Sequence, residues 1–150
     1  MHEQGSKYAF MVDYVKDKVV LDVGCGYGRE TSYLKDKGAS DVIGGDVSQE
    51  AIEWAIEHFQ SPGLHFLLFD AQRLPFQDNS FDAVISYRLI EHLPRYKDFL
   101  FECIRVLREG GRFICATSNK EFVSPSSGKI VKFGMEHPIE KDINLNLKSL

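Results

Sequence analysis

Val19-Val20-Leu21-Asp22-Val23, followed at once by Gly24-Cys25-Gly26-Tyr27-Gly28-Arg29, is the stretch that decides the fold. Its first five residues are almost continuously apolar, as expected of a strand buried on both faces in a parallel sheet. Glycine at every second position then lets the backbone turn sharply and lets a ligand approach the main chain. A helix expected over 27–37 completes a strand–loop–helix unit, and the bland alternative is a tight turn that binds nothing. A dinucleotide fingerprint spaced GxGxxG would need its third glycine at position 29, where Arg29 stands, and this disfavours an NAD-type oxidoreductase. An acidic residue, Asp46, lies about twenty residues beyond the loop at the end of a second apolar run, where a carboxylate can accept both hydrogens of a ribose diol.

Outward from the loop, strand-length apolar runs alternate with helical periods. A short helix over 8–15 has Phe10, Met11 and Tyr14 on one side. Strands are expected at 41–45, 64–69, 81–86 and 112–116. Ser48 is a candidate N-cap for a helix whose apolar face is Ile52, Ala55, Ile56 and Phe59. Tyr96, Phe99, Leu100, Cys103, Ile104 and Leu107 form the cleanest helical stripe, closed by Gly110 and Gly111. Residues 70–80 read as a polar loop. The fold class that follows is α/β, a doubly wound, mostly parallel sheet of about five strands with helices on both faces. Its ligand site is expected at the carboxyl ends of the strands. Residues 1–118 form the core and 119–150 an irregular tail, with a weak helical hint over 145–150.

Composition narrows the function classes. The 150 residues include 18 Lys plus Arg against 22 Asp plus Glu, a net charge of −4, so the basic excess of a generic nucleic-acid binder is absent and no nucleic-acid partner is expected. No run approaches the ~18 apolar residues of a membrane helix, and the first residues do not form a signal sequence, so a soluble cytoplasmic protein with no membrane partner is expected. Cys25, Cys103 and Cys115 are odd in number and widely spaced, as reduced thiols rather than a disulfide frame or zinc cluster.

Residues 20–28, 43–48, 69–76, 81–86 and 105–111, taken in that order along the chain, together resemble the class I S-adenosylmethionine-dependent methyltransferases, in particular the type 11-like group. Val20-Leu21-Asp22-Val23-Gly24-Cys25-Gly26-Tyr27-Gly28 resembles the first motif of that family. Ile43-Gly44-Gly45-Asp46-Val47-Ser48 resembles its ribose-binding strand end, and Phe69-Asp70-Ala71-Gln72-Arg73-Leu74-Pro75-Phe76 its adenine-side segment. Phe81-Asp82-Ala83-Val84-Ile85-Ser86 is similar to the fourth motif, and Arg105-Val106-Leu107-Arg108-Glu109-Gly110-Gly111 to the turn before strand five, with Glu109 in place of proline. The resemblance implies a Rossmann-like fold and S-adenosyl-L-methionine as cofactor. It assigns Gly24 and Gly26 to the methionine part, with Asp22 near the amino group, a charge match that is physically reasonable. Asp46 would take the ribose hydroxyls, Val47 one adenine face and Asp70 the adenine amino group, with Ala71 beside it. Tyr87 would sit near the sulfonium. Similar enzymes continue through two further strands beside strand five. The chain is expected to lack them and to leave an exposed edge at 112–116 unless the tail or a second copy, in a homodimer, covers it.

The activity so implied is methyl transfer by direct displacement to a small-molecule or glycan-type acceptor. The alternatives are a non-catalytic or partner-dependent cofactor-binding module and an NAD-type oxidoreductase. Catalytic candidates come from Tyr87-Arg88-Leu89-Ile90-Glu91-His92-Leu93-Pro94. His92 could act as a general base beside Glu91, with Tyr87 near the reacting centre; the competing reading of His92 is a polar residue on a helical turn. A related subgroup binds a divalent metal through ExxEH, but Arg88 replaces the first Glu and two ligands do not make a site, so no metal is expected. Tyr8 and Tyr14 either cover the cofactor or pack the leading helix against the sheet, and Trp54 reads as a half-exposed aromatic off its helix's apolar stripe.

Overall fold

In a computed structural model of the chain, residues 6, 8–116, 121–123, 130–132 and 139–140 are described. The strands are β1 (Val19–Val23), β2 (Asp41–Asp46), β3 (Leu64–Leu68), β4 (Phe81–Tyr87), β5 (Leu107–Ala116), β6 (Glu121–Val123), β7 (Ile130–Lys132) and β8 (Ile139–Glu140). The helices are α1 (Val12–Val15), which follows a single 3-10 turn, α2 (Arg29–Asp36), α3 (Gln49–Phe59) and α4 (Tyr96–Val106). The main sheet has the order β3-β2-β1-β4-β5-β8, and its first five strands are parallel. From β1 the chain winds outward through β2 and β3, then returns to β4 on the other side of β1. The winding therefore reverses between β1 and β4, where doubly wound sheets open a ligand crevice at their carboxyl ends.

Alternate residues of β1 serve opposite layers. Leu21 and Val23 join a core with Val84, Phe113, Phe99, Leu100 and Cys103, which α4 covers. Val20 faces the other layer with Val42 and Ile85 of the sheet, covered by Met11 of the 3-10 turn, Val15 of α1, Leu34 of α2 and Ile52 and Ala55 of α3. By the same alternation Asp22 points into this second layer, where it is fully buried. Glycines in β2 admit large neighbours: a Cβ on Gly45 would lie 1.9 Å from the Phe69 ring.

The expected elements are present, with boundary changes that have local causes. Ser48 caps α3, its hydroxyl accepting from Ala51 N at 3.2 Å, as read from sequence. Helix α2 begins at Arg29 rather than 27, because Gly28 is left-handed at φ 84° and cannot enter the helical ladder. Ile56, expected on the buried face of α3, is 41% exposed; Ala51, Ile52 and Ala55 carry that contact instead. The helical stripe that included Leu107 ends one residue earlier. Leu107 pairs with Phe81 as the first residue of β5, and the register then jumps to Ala83 opposite Arg112, so 108–111 bulge out rather than close a helix. Leu107 is buried in either conformation, so its hydrophobicity could not distinguish helix from strand.

The strand-five edge is not bare: the tail covers it, which is the exception that the expectation allowed. Strand β8 lies antiparallel along it, pairing Ile139 with Phe113 and Glu140 with Arg112, and makes the sheet six-stranded. Within 119–150, read as irregular, β6 and β7 also pair with each other. The helical hint over 145–150 lies outside the described residues. No helix of the described residues is long and apolar enough to cross a membrane.

Candidate functional site

The crevice at the carboxyl ends of β1, β2, β3 and β4 is built from the glycine loop outward. Gly24 and Cys25 donate their N–H groups to the Gly45 carbonyl at 2.8 and 2.9 Å, tying the loop to β2. Gly24, Gly26 and Gly28 are all left-handed, at φ 82°, 56° and 84°. Nothing lies within 4 Å of the position a Cβ would occupy on Gly26, so the missing side chain keeps the crevice wall open. Asp46 closes the loop from the other side. Its Oδ2 accepts from Gly26 N at 2.9 Å and its Oδ1 from Ser48 N at 3.0 Å, so the carboxylate holds the loop and the start of α3 while still bordering open space.

Two adjoining depressions share Gly24. The first, about 240 Å³, is lined by Gly24, Gly45, Asp46, Val47, Phe69, Asp70, Ala71, Gln72, Leu89 and Leu93. It is a largely apolar slot whose lining includes two carboxylates, those of Asp46 and Asp70. Val47 is 70% exposed, whereas Ala71 is buried in the wall. Asp70 is exposed, with Oδ1 accepting from Gln72 N at 2.8 Å, and this backbone hydrogen bond keeps its carboxyl below the usual range. The second depression, about 540 Å³, runs from Gly24 and Gly26 past Arg29 and Glu30 to Tyr8, Tyr87 and Arg88. Its volume is within the ~300–1,000 Å³ of small-molecule sites.

Asp22 lies beneath the loop and lines neither depression. Tyr8 Oη donates to its Oδ1 at 3.0 Å and Thr31 Oγ1 to its Oδ2 at 2.8 Å. Burial raises its pKa to about 7, against the pull of the two hydroxyls. Burial and this carboxylate also push the Tyr8 hydroxyl well above its ordinary value, and burial does the same to the Cys25 thiol. Tyr8 is thus both packed against the sheet and present at the crevice, its ring 6.0 Å from that of Tyr87. Tyr14 packs elsewhere, under the Arg112 guanidinium at 4.7 Å. Trp54 is 36% exposed and stacks on His58 at 3.7 Å.

Of the expected cofactor residues, Gly24, Asp46, Val47, Asp70 and Ala71 meet in the first depression and Gly24, Gly26 and Tyr87 in the second. The catalytic candidates divide. Tyr87 borders the crevice, but the His92 side chain is 73% exposed, 3.9 Å from Glu91 Oε1, and neither Glu91 nor His92 lines either of these two depressions. Sequence reading missed Gly45, Phe69, Leu89 and Leu93 as lining residues. The strand glycine of Gly44-Gly45 was the available signal, because glycine within a strand marks close approach. Arg88 was noted only as a missing metal ligand, yet it borders the crevice with a left-handed backbone at φ 54°.

The family model of the methyltransferase domain matches residues 21–115. Phthiotriol/phenolphthiotriol dimycocerosates methyltransferase of Mycobacterium tuberculosis is 40% identical over 97 residues, covering 64% of this chain and 36% of that protein. The fatty-acid O-methyltransferase of Mycolicibacterium smegmatis is 38% identical over 112 residues, covering 74% and 41%. The chain thus spans well under half the length of these relatives. Among solved structures, an S-adenosylmethionine-dependent methyltransferase from Mesorhizobium loti superposes with a TM-score of 0.70 at 22% identity, over 83% of this chain and 60% of the other, a likeness of fold.

Proposed function

The chain belongs to the class I methyltransferase family, whose cofactor is S-adenosylmethionine, and we propose that it binds this cofactor across the two depressions and methylates a small, lipid-type acceptor. The supporting observation is the gathering of Gly24, Asp46, Val47, Asp70 and Ala71 around one apolar slot. The residues suit the group chemically. Asp46 and Asp70 offer acceptors to hydroxyl and amino groups, Val47, Phe69 and Leu89 offer apolar faces to a flat ring, and Gly26 leaves room for the chain that joins them. The cofactor supplies a methyl carbon already bonded to a good leaving group. What falls to the protein is alignment and exclusion of water, with Tyr8 and Tyr87 walling the second depression, where the acceptor is assigned. The acceptor class rests on the names of the two curated relatives, one acting on phthiotriol lipids and one on fatty acids.

Calorimetric titration with S-adenosylhomocysteine tests the reading. Saturable binding is expected, and Asp46→Ala is expected to weaken it by roughly 2–4 kcal/mol, since a charged acceptor is lost and Gly26 N is left without its partner. Absence of binding by folded wild-type protein would overturn the proposal.

A further inference from the structure

The loop over 69–80 carries Asp70, Ala71 and Gln72 into the first depression, yet it has no helix or strand of its own. Its fixity comes from α4. Glu102 Oε1 accepts from Leu74 N at 2.9 Å, while Arg105 Nη2 donates to Leu74 O at 3.1 Å, so both backbone groups of one buried residue are held by two side chains one helical turn apart. Arg105 Nη1 donates to Phe76 O at 2.7 Å and to Asp78 Oδ1 at 2.9 Å. Arg105 Nε donates to Glu102 Oε2 at 2.7 Å, locking the two side chains to each other. This carboxylate, with Asp78, keeps the guanidinium protonated far above neutral pH. Gln72 is pinned as well, its side-chain oxygen accepting from Arg95 N at 2.8 Å. The sequence marked Arg105 only as the first residue of a turn motif, and the cofactor site does not itself use it.

We propose that Glu102 and Arg105 are positioning residues for cofactor specificity: by clamping Leu74 and Phe76 they hold Asp70 where it discriminates an adenine from other bases. The inference rests on the proposed cofactor reading. A guanidinium is suited to the task because its planar fork reaches two carbonyls and two carboxylates at fixed angles, which an ammonium cannot do. The span from Asp70 to Leu74 is short, and a second internal bond, Arg73 N to Asp70 O at 3.0 Å, transmits the anchoring directly.

The test uses the full chain in three forms, wild type, Arg105→Lys and Glu102→Gln. In ligand-free protein, amide hydrogen exchange over 70–76 is expected to accelerate by about tenfold or more in both variants while β1 and β4 stay protected. Calorimetry with S-adenosylhomocysteine and its inosine counterpart then reads specificity. Wild type is expected to prefer adenine by at least about tenfold and Arg105→Lys to lose most of that preference, with Glu102→Gln, which keeps an acceptor for Leu74 N, intermediate. A variant with a lower melting temperature but an unchanged adenine preference makes the pair merely structural and overturns the inference. Unaltered exchange over 70–76 overturns it independently of any ligand. Wild type that binds neither compound overturns the cofactor reading, and this inference with it, even where the exchange result stands.

Discussion

Gly24 and Arg88 both turn left-handed immediately beyond neighbouring central strands, at φ 82° and 54°, yet the two loops they open are built in opposite ways. After β1 the amides are committed inward, to Gly45 O, Asp46 Oδ2 and Cys25 O, so the loop is held in shape by its own main chain and borders the crevice as bare backbone at Gly24 and Gly26. After β4 the backbone is anchored by Arg88 N to Ala116 O at 2.6 Å and by a 3-10 turn over Ile90–His92, while Arg88 and His92 stand in solvent. A loop that binds through backbone leaves little choice of residue. One that presents side chains can be changed without disturbing the sheet, and it is the natural place to set acceptor preference.

The largest test of this contrast is electrostatic. Burial raises Asp22 from 3.8 to about 7, so between about pH 4 and 7 the folded protein retains a proton that the unfolded chain has released. Stability therefore falls as pH rises through that window, by on the order of 4 kcal/mol if the whole shift is expressed. Asp22→Asn cannot ionise. The difference in unfolding free energy between variant and wild type, from urea titrations at pH 4.5 and 7.5, is expected to grow in favour of the variant by most of that amount. Equal pH dependence in the two proteins would mean that the floor of the glycine loop is no more strained electrostatically than the loop after β4.

Glycines of the first loop give the next effect. A Cβ on Gly28 would meet the Phe66 ring at 2.6 Å on a left-handed backbone, so Gly28→Ala is expected to cost about 3 kcal/mol of stability, read by chemical denaturation. Gly26→Ala meets nothing and is expected to cost only about 1 kcal/mol while impairing S-adenosylhomocysteine binding far more than Gly28→Ala does per unit of stability lost. Similar binding by the two variants, after allowance for stability, would dissolve the distinction between a packing glycine and a ligand-facing one.

Legibility followed the same division. That Asp46, Val47 and Asp70 border one crevice could be anticipated from sequence, Asp46 from its strand end and its spacing from the loop, Val47 and Asp70 only through the family resemblance. The end of α4 could not, because Leu107 satisfies a helical stripe and a buried strand equally, and pairing with Phe81 decided the matter. The same holds for the edge of β5. Its partner, Ile139–Glu140, lies far along the chain in a stretch with no period of its own, and only non-local hydrogen bonding makes it a strand. Whether Glu91 and His92 face the crevice depends on the rotation of one 3-10 turn, which residue identities do not encode. The Glu102–Arg105 clamp was hidden for a related reason: its partners are mostly backbone groups about thirty residues away, invisible to any side-chain pattern.

Arg88→Gly probes the second loop by a smaller amount. Removing a side chain from a left-handed position relieves about 1–2 kcal/mol of steric cost, partly offset by the added freedom of glycine in the unfolded chain. A net gain of about 0.5–1 kcal/mol in unfolding free energy is expected, with S-adenosylhomocysteine affinity nearly unchanged. A marked loss of that affinity would show that the Arg88 side chain, and not only the Leu89 face of the same loop, holds the cofactor, and its assignment to the acceptor side would fail.

The smallest effect is expected at His92, and its smallness is informative. The side chain is 73% exposed and faces neither depression, so His92→Gln should shift stability by less than about 0.5 kcal/mol. Losing a general base would lower turnover roughly 10²–10⁴-fold, whereas an acceptor that reaches the site already ionised, as a carboxylate does, needs no base at all. Turnover within about threefold of wild type, with an unaltered pH profile, is the outcome expected of a site that works by alignment. A hundredfold loss would require the turn over Ile90–His92 to rotate inward when the acceptor binds. The loop after β4 would then be a moving catalytic element, in contrast to the fixed backbone after β1, and the difference between the two loops would be one of mobility as well as of chemistry.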